Sequence, residues 1–255
     1  MFRLPEYSYP CGARLCLWRR YARSGRQREG DEMQSSRSMR AWALVMFAVF
    51  VAFLLAASAL DRGAEAQEAP GVLAGKKIVV DAGHGGGDAG AANARYGLVE
   101  KDQTLDVSRR LKALLEASGA TVYMTRTGDG TLSNSDRYAY ANRTGADILV
   151  SVHMNGSSDP AANYTTVLFG KWRKDKALAV ALLDGLHPAL GIPRRDPYSF
   201  ASGVLLKSEM PAAIAETVFI TSDAEGRLLS DGTGARQQQI AEALKTGIEG
   251  YFRTP

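Results

Sequence analysis

The sequence predicts an α/β protein, a three-layer sandwich in which helices flank a mostly parallel sheet. Short apolar strands alternate with helices from residue 76 onward, a pattern typical of repeated strand–helix–strand units. The strand predicted at 147–152 is apolar along almost its whole length, as expected for a strand buried on both faces. The roughly 180 residues after residue 75 suffice for a single core.

The predicted elements follow in a regular order. A strand at 77–81 runs into a glycine-rich loop at 83–97, whose low apolar content is typical of an irregular segment that lines a site. Apolar residues at helical spacing predict a helix at 102–118, which Gly119 ends. The other elements are identified in the same way: strands at 121–125, 147–152, 165–169, 199–206 and 212–219, and helices at 134–144, 175–186 and 237–252.

Three segments precede this domain, which we place at 76–253. Residues 1–40 are rich in arginine and lack apolar periodicity, so we expect them to be disordered or not translated. Residues 41–60 form an uncharged apolar run that is long enough to span a bilayer. Residues 61–75 are expected to be a linker.

The apolar run predicts export. Basic residues before it, and acidic or neutral ones after it, orient the C-terminal part outward. Ala57-Ser58-Ala59 and Ala64-Glu65-Ala66 are small-residue sites of the kind that signal peptidase cuts. We therefore expect either a cleaved signal peptide or a retained membrane anchor. Both outcomes put the domain outside the cytoplasm, in the periplasm, in the cell wall or on the outer face of the cytoplasmic membrane.

Charge and cysteine content exclude several function classes. Residues 1–66 carry 10 basic and 6 acidic side chains, whereas residues 67–255 carry 21 of each. The net charge of +4 therefore belongs to the N-terminal segments, and the domain has no basic stripe for nucleic acid. Cys11 and Cys16 both precede the apolar run, which leaves the domain without disulfides, thiolate ligands or a cysteine nucleophile.

Two of the three histidines stand at the ends of predicted strands, and a carboxylate lies between them in sequence. His84 follows the first strand, His153 ends the strand at 147–152, and Glu100 begins a helix. Two histidines and a carboxylate match the three protein ligands of catalytic zinc, which leaves one coordination position open for water. The third histidine, His187, precedes Pro188 near a helix end and is interpreted as a surface or capping residue.

A further carboxylate, Glu216, interrupts the apolar strand at 212–219. A charge at such a position is costly unless it is paired or used. One interpretation is a glutamate on an edge strand with its head in water. Beside a zinc site, the same residue would accept a proton from water and pass it to a leaving nitrogen.

Other polar residues near these motifs have less definite roles. Asp81 and Asp88 flank His84, and Asp81 either orients a metal ligand or caps a loop. Asn155, two residues after His153, either holds a loop or contacts substrate. Arg137 is expected to form a structural ion pair or to cap carbonyls.

Four segments together resemble a known family. They read, in order, VVDAGHGGGDAGA, VEKD, ILVSVHMN and MPAAIAETVFITSDAEGRLL. They are similar to the zinc-dependent N-acetylmuramoyl-L-alanine amidases of the cell-wall hydrolase type, and the resemblance extends from Lys76 to about Phe252. It implies a central, mainly parallel six-stranded sheet.

The resemblance also implies the site and the reaction. It assigns the zinc ligands to His84, Glu100 and His153 and the catalytic glutamate to Glu216. The implied substrate is peptidoglycan, cut between the lactyl group of N-acetylmuramic acid and L-alanine. We expect the protein to act as a monomer, with the membrane as a further partner if the apolar segment is not cleaved.

The chain departs from the family pattern at two places. Met154 stands where a small residue usually follows the second histidine, and Thr217-Val218 follow Glu216 in place of the usual pair. These changes bear on substrate fit more than on chemistry. Two alternatives stay open: a zinc peptidase that cuts within the stem peptide, and a non-catalytic peptidoglycan-binding regulator on the same fold.

The segment after His153 bears on regulation. Some members of the family carry a long helix there that blocks the zinc. Here about twenty residues, from Asn155 to Lys174, contain Pro160, glycines and an apolar strand, but no amphipathic helix. We therefore expect an open cleft and activity without a protein activator.

Overall fold

The computed structural model describes residues 44–53 and 71–254, and the chain divides into two units, Met1–Gln67 and Glu68–Pro255. In the first unit, residues 44–53 form a helix, α1, whose side chains are exposed. Among the described residues, no helix combines the length and the apolar content that crossing a bilayer requires. The predictions for 1–40, for 61–70 and for the rest of the apolar run lie outside the described residues.

The described residues of the second unit, 71–254, form eight strands and six helices. The strands are β1 (Lys77–Ala82), β2 (Ala92–Asn93), β3 (Leu98–Val99), β4 (Thr121–Met124), β5 (Ile148–Asn155), β6 (Thr166–Phe169), β7 (Tyr198–Ser199) and β8 (Ala212–Phe219). The helices are α2 (Glu100–Ala117), α3 (Asn134–Thr144), α4 (Trp172–Leu190), α5 (Gly203–Lys207), α6 (Asp223–Leu229) and α7 (Ala235–Arg253). Leu73, which the sequence places in the linker, is buried in the core, so the folded unit already includes the residues just before β1.

Six strands form one central sheet, the number that the resemblance implied, in the order β4-β1-β5-β8-β6-β7. The strands β4, β1, β5 and β8 are parallel to one another. Strand β6 runs antiparallel to β8, and β7 is parallel to β6. The carboxyl ends of β1, β5 and β8 therefore meet at one edge of the sheet, which is where open α/β sheets bind ligands.

Helices cover both faces of the sheet, which confirms the three-layer sandwich. Successive strand residues point to opposite faces. Val80 and Val150 belong to the larger core beneath α2, α4 and α7, whereas Val79 and Leu149 belong to a smaller core beneath α3 and α5. Helices α4 and α7 approach so closely that a Cβ on Gly247 would lie 2.7 Å from the Cα of Leu182.

Helix α3 begins and ends at the residues that the sequence predicts. The Ser133 hydroxyl accepts a hydrogen bond from the backbone N–H of Asp136, and the Asp136 carboxylate accepts one from the backbone N–H of Ser133. Gly145 ends the helix in the left-handed conformation, at φ 62°. These local signals fix the ends of α3, and Arg137, one turn into the helix, contacts Asp81 on β1.

One predicted strand, at 199–206, is wrong. Only Tyr198–Ser199 form a strand, and Gly203–Lys207 form the short helix α5. The apolar run Val204–Leu206 fits either state, because a short apolar run has no diagnostic period. The segment forms a helix and not a strand because the helix buries Val204 and Leu205 in the smaller core. The hairpin β2–β3 and the helix α6 were not predicted.

Candidate metal centre and cleft

Three potential ligand atoms converge at the carboxyl edge of the sheet. His84 Nε2 lies 3.0 Å from Glu100 Oε1 and 3.1 Å from His153 Nδ1, and His153 Nδ1 lies 3.3 Å from Glu100 Oε1. These are the only residues in the described part of the chain that form such a His/Cys/Asp/Glu cluster. The structure thus brings together the three ligands proposed from the sequence.

The cluster suits zinc in its spacing and in its donor types. Bonds of about 2.0–2.2 Å to a tetrahedral ion imply separations between ligand atoms of about 3.3–3.6 Å. The observed separations, 3.0–3.3 Å, are slightly shorter and so need only a small outward movement. Two imidazole nitrogens and one carboxylate oxygen are also a ligand set of catalytic zinc sites that keep a position open.

His84 is held in an unusual backbone conformation. It is the one residue other than glycine with positive φ among the described residues, at 61°, a region that a side chain makes costly. Arg137 Nη2 donates to the His84 carbonyl at 2.7 Å, and Arg126 Nη2 donates to the Gly83 carbonyl at 2.9 Å. The two buried arginines thereby hold the loop that presents the imidazole.

Asp88 orients the His84 ring. Its carboxylate lies 2.9 Å from His84 Nδ1, which leaves Nε2 directed at the other two ligands. Burial disfavours a charged imidazole, but the Glu100 and Asp88 carboxylates outweigh it and raise the pKa of His84. The same two carboxylates would favour a bound cation. The sequence feature that indicates this orienting role is the position of Asp88, four residues after His84 in the glycine-rich loop.

Glu100 is fixed at the first residue of α2. Its Oε2 accepts a hydrogen bond from the Ala91 N–H at 2.8 Å, and its Oε1 accepts one from the Met154 N–H at 2.9 Å. Burial alone would raise the pKa of Glu100, but hydrogen bonds and charge from His153 and His84 lower it to about 2. The carboxylate is therefore ionised and ready to act as a ligand over the physiological range.

The His153 ring needs the glycine opposite it. A Cβ on Gly83 would lie 2.5 Å from His153 Nε2, far inside van der Waals contact. Thr217 Oγ1 donates to the His153 carbonyl at 3.0 Å, so the Thr217 side chain supports the strand. Met154 is likewise buried in the larger core. These two departures from the family pattern therefore lie away from the cleft.

Glu216 lies directly beside His153. The two are register partners on the parallel strands β5 and β8, and β8 lies inside the sheet between β5 and β6. The edge-strand interpretation of Glu216 is therefore wrong. Burial raises the pKa of Glu216, Glu100 adds to the rise, and His153 and His84 oppose it; no hydrogen bond from the described residues contributes. Its carboxylate is free to bind water or substrate.

His84, Asp88, His153 and Glu216 line a cleft of about 410 Å³. Its floor is one row of register partners across five strands, with their side chains on the same face: Asp81, Ser151, Ile214, Leu168 and Tyr198. A larger open depression of about 1210 Å³, between α4 and α7, contains no histidine. The smaller cleft is therefore the functional candidate, because both histidines of the cluster and Glu216 line it.

Asp81 supports the site indirectly and touches neither histidine. It is buried and accepts hydrogen bonds from Arg137 at 2.7 Å, Thr125 at 2.6 Å and Ser151 at 2.5 Å. Burial would raise the pKa of Asp81, but Arg137 and the two hydroxyls lower it. Arg137 thus forms the structural ion pair expected from the sequence, and it links Asp81 to the His84 carbonyl.

Asn155 and His187 lie outside the cleft lining. The Asn155 side chain accepts a hydrogen bond from the Gly156 N–H at 3.0 Å, which supports the loop-holding role. His187 Nδ1 lies 3.1 Å from the Ile192 carbonyl, just past the end of α4, in agreement with a capping residue. Tyr198 and Phe200 line the cleft but were not predicted from the sequence, because their position depends on the pairing of β7 with β6.

Replacing Arg137 by methionine is expected to lower the free energy of unfolding by about 3–5 kcal/mol, because Asp81 would remain buried without its ion-pair partner. Chemical denaturation of the variant measures the loss. Arg143→Met, in the last turn of the same helix and exposed, is the control and should change stability by less than about 0.5 kcal/mol. Equal effects of the two substitutions would contradict the ion-pair interpretation.

An α/β sandwich with a His/Glu/His cluster and a free glutamate beside it is typical of metal-dependent hydrolases. The comparison with known families identifies the group. The family model for N-acetylmuramoyl-L-alanine amidase matches residues 78–250, so the chain belongs to that family.

Individual relatives and one solved structure are similar to this chain. The Bacillus subtilis protein YqiI is 33% identical over 187 residues, which cover 71% of this chain and 86% of YqiI. N-acetylmuramoyl-L-alanine amidase LytC of B. subtilis is 30% identical over 184 residues, which cover 71% of this chain and 36% of LytC. The structure of N-acetylmuramoyl-L-alanine amidase AmiC2 of Nostoc punctiforme superposes with a TM-score of 0.65 at 32% identity, covering 70% of this chain and 97% of AmiC2.

Proposed function

We propose that this protein is a zinc-dependent amidase that hydrolyses the bond between the lactyl group of N-acetylmuramic acid and L-alanine in peptidoglycan. The observation that carries the proposal is the convergence of three ligand atoms within 3.3 Å of one another beside Glu216, in a chain of this family. His84, Glu100 and His153 would hold the zinc. When bound, zinc polarises the scissile carbonyl and acidifies the attacking water.

Glu216 moves the proton in this reaction. Its carboxylate accepts a proton from the attacking water, whose oxygen forms the new C–O bond. The C–N bond breaks, and Glu216 delivers the proton to the nitrogen of L-alanine. The raised pKa of Glu216 suits a group that must take up a proton and release it in one cycle.

The remaining residues keep these groups in position. Asp88 orients the ring of His84, and Arg137 holds the backbone of the same residue. The peptide N–H groups of Ala91 and Met154 keep both oxygens of Glu100 in place. The site is thus organised before substrate arrives, which limits the reorganisation that catalysis requires.

The same proposal includes the location of the reaction. Peptidoglycan lies outside the cytoplasm, and the apolar run at 41–60 supplies an export signal or an anchor. The domain would then act in the periplasm or cell wall, or from the membrane surface. We propose that it acts there as a monomer, because the three ligands and Glu216 all come from one chain.

The fragment from residue 68 to residue 255, loaded with zinc, is expected to release peptides with an N-terminal L-alanine from purified peptidoglycan without a partner protein. Between β5 and α4 the only regular element is the strand β6, and no helix of that segment covers the cleft. Mass analysis of the released fragments measures the cut. Peptides cut at an internal bond would indicate a stem-peptide peptidase instead.

Two controls make this assay decisive. The same fragment treated with a chelator should be inactive and should recover when zinc is added back. Activity that appears only after a second protein is added would contradict the open cleft. Zinc binding with no cleavage of any muropeptide would favour a non-catalytic regulator.

A further inference from the structure

We propose that the cleft binds its substrate in one direction along the sheet, with the leaving peptide over the apolar and aromatic half formed by Ile214, Leu168, Tyr198 and Phe200. The muramic acid then lies at the His84 end. This inference rests on the proposed amidase function and specifies which half of the substrate each half of the cleft accepts.

The order of strands determines the order of functional groups. His84 follows β1, His153 is on β5 and Glu216 is on β8. Beyond Glu216 come β6 and then β7, which carries Tyr198. Glu216 therefore separates the two histidines from the aromatic end of the cleft. Neighbouring strands lie about 4.8 Å apart, so Tyr198 is roughly 10 Å from the Ile214 position.

The chemistry of the amide sets the direction of the substrate. Glu216 must come within hydrogen-bond reach of the nitrogen that leaves, because it returns the proton to that atom. The acyl carbon carries the lactyl group and lies on the side of the three ligand residues. The nitrogen, and the peptide attached to it, must then continue past Glu216 towards β6 and β7.

The half of the cleft beyond Glu216 has the chemistry of a peptide site. Ile214, on the same strand as Glu216, and its register partner Leu168 on β6 form an apolar floor that suits the methyl group of L-alanine. Phe200, Ser202 and Val204, which follow β7 in the chain, also line the cleft, and Ser202 offers a polar side chain for backbone amides. The opposite half is polar, with His84 and the exposed carboxylate of Asp88.

Two exposed aromatic rings mark the outer end of the peptide half. Tyr198 is 48% exposed and Phe200 is 47% exposed, although large rings are usually buried. Strand β7 and the Phe200 N–H, which donates to the Phe169 carbonyl at 2.9 Å, hold both residues against the sheet edge. Such rings also suit sugars, so the test must distinguish peptide from saccharide.

The first test measures binding to the metal-free fragment 68–255, which contains its own core and corresponds in extent to the solved AmiC2 chain. The probes are L-alanyl-D-isoglutamine and N-acetylmuramic acid, each titrated by nuclear magnetic resonance. Tyr198→Ala with Phe200→Ala should weaken dipeptide binding about tenfold or more and leave N-acetylmuramic acid unchanged. Leu206→Ala, also 47% exposed but outside the cleft lining, should change neither.

The second test measures kcat/KM of the zinc-loaded fragment. The substrates are N-acetylmuramyl-L-alaninamide and an N-acetylmuramyl tripeptide. The aromatic variants should lose about tenfold on the tripeptide and clearly less on the alaninamide, because the shorter leaving group does not reach Tyr198. Adding N-acetylglucosamine to the glycan side should not alter the ratio.

Loss of saccharide binding with intact dipeptide binding would overturn the proposed direction. Unchanged binding of both probes would also overturn it, because the aromatic rings would then have no part in substrate binding. Failure of the amidase function itself has a different signature. The unaltered fragment would then release neither L-alaninamide nor a peptide with an N-terminal L-alanine from its substrates, and this inference would fail as well.

Discussion

Replacement of Glu216 by glutamine is expected to lower kcat by about 10²–10⁴-fold while zinc remains bound. Glutamine has nearly the same shape, but its amide cannot accept the proton of the attacking water. No hydrogen bond from the described residues contributes to the pKa of Glu216, so we expect the substitution to leave the local structure intact. The measurement is single-turnover cleavage of a muropeptide together with the zinc content of the same sample.

Glu209→Gln is the matched control, because Glu209 is an exposed glutamate that does not line the cleft. Its kcat should equal that of the unaltered protein. A Glu216→Gln enzyme with a near-native rate would show that Glu216 is not the proton carrier. Loss of zinc in that variant would show instead that the residue acts through the metal centre.

Replacement of His153 by alanine is expected to abolish both stoichiometric zinc binding and activity. The ion would keep only His84 and Glu100, which is one protein ligand fewer than catalytic zinc sites use. His153 also lies 3.3 Å from Glu100 Oε1, so its removal weakens the ordering of that carboxylate. Equilibrium dialysis and metal analysis of the purified fragment measure the loss.

His187→Ala provides the histidine control. His187 contacts the Ile192 carbonyl near the end of α4. It does not line the cleft and is not part of the metal cluster. Its zinc content and activity should match those of the unaltered fragment. Circular dichroism must show that His153→Ala remains folded. A folded His153→Ala protein that binds one zinc with native affinity would contradict the ligand assignment.

The backbone at His84 depends on contacts from distant parts of the chain. The positive φ of His84 directs Nε2 at the other two ligands, and the buried Arg126 and Arg137 compensate for the strained conformation by binding the loop carbonyls. Neither arginine belongs to the metal cluster, and both come from segments far along the chain. The sequence predicted an ion pair or carbonyl cap for Arg137, but the identity of its partners, and the whole role of Arg126, followed only from the folded structure.

By itself, the sequence determined the fold class, most of the helices and strands, and the types of residue at the site. These features depend on local signals: apolar periodicity, capping residues such as Ser133 and Gly145, and histidines that follow apolar strands. In a parallel sheet, strand ends meet at one edge, so His84 and His153 could be placed near each other without knowing their exact separation.

Only the tertiary structure decided the contacts that depend on partners distant in sequence. It showed that β8 lies inside the sheet and that Glu216 is the register partner of His153. It also showed that residues 203–207 form a helix and that Asp81 pairs with Arg137. Strand order, register and the choice of ion-pair partner arise from packing of the whole chain. A local window of sequence carries no information about them, because each is decided by residues that lie tens of positions away.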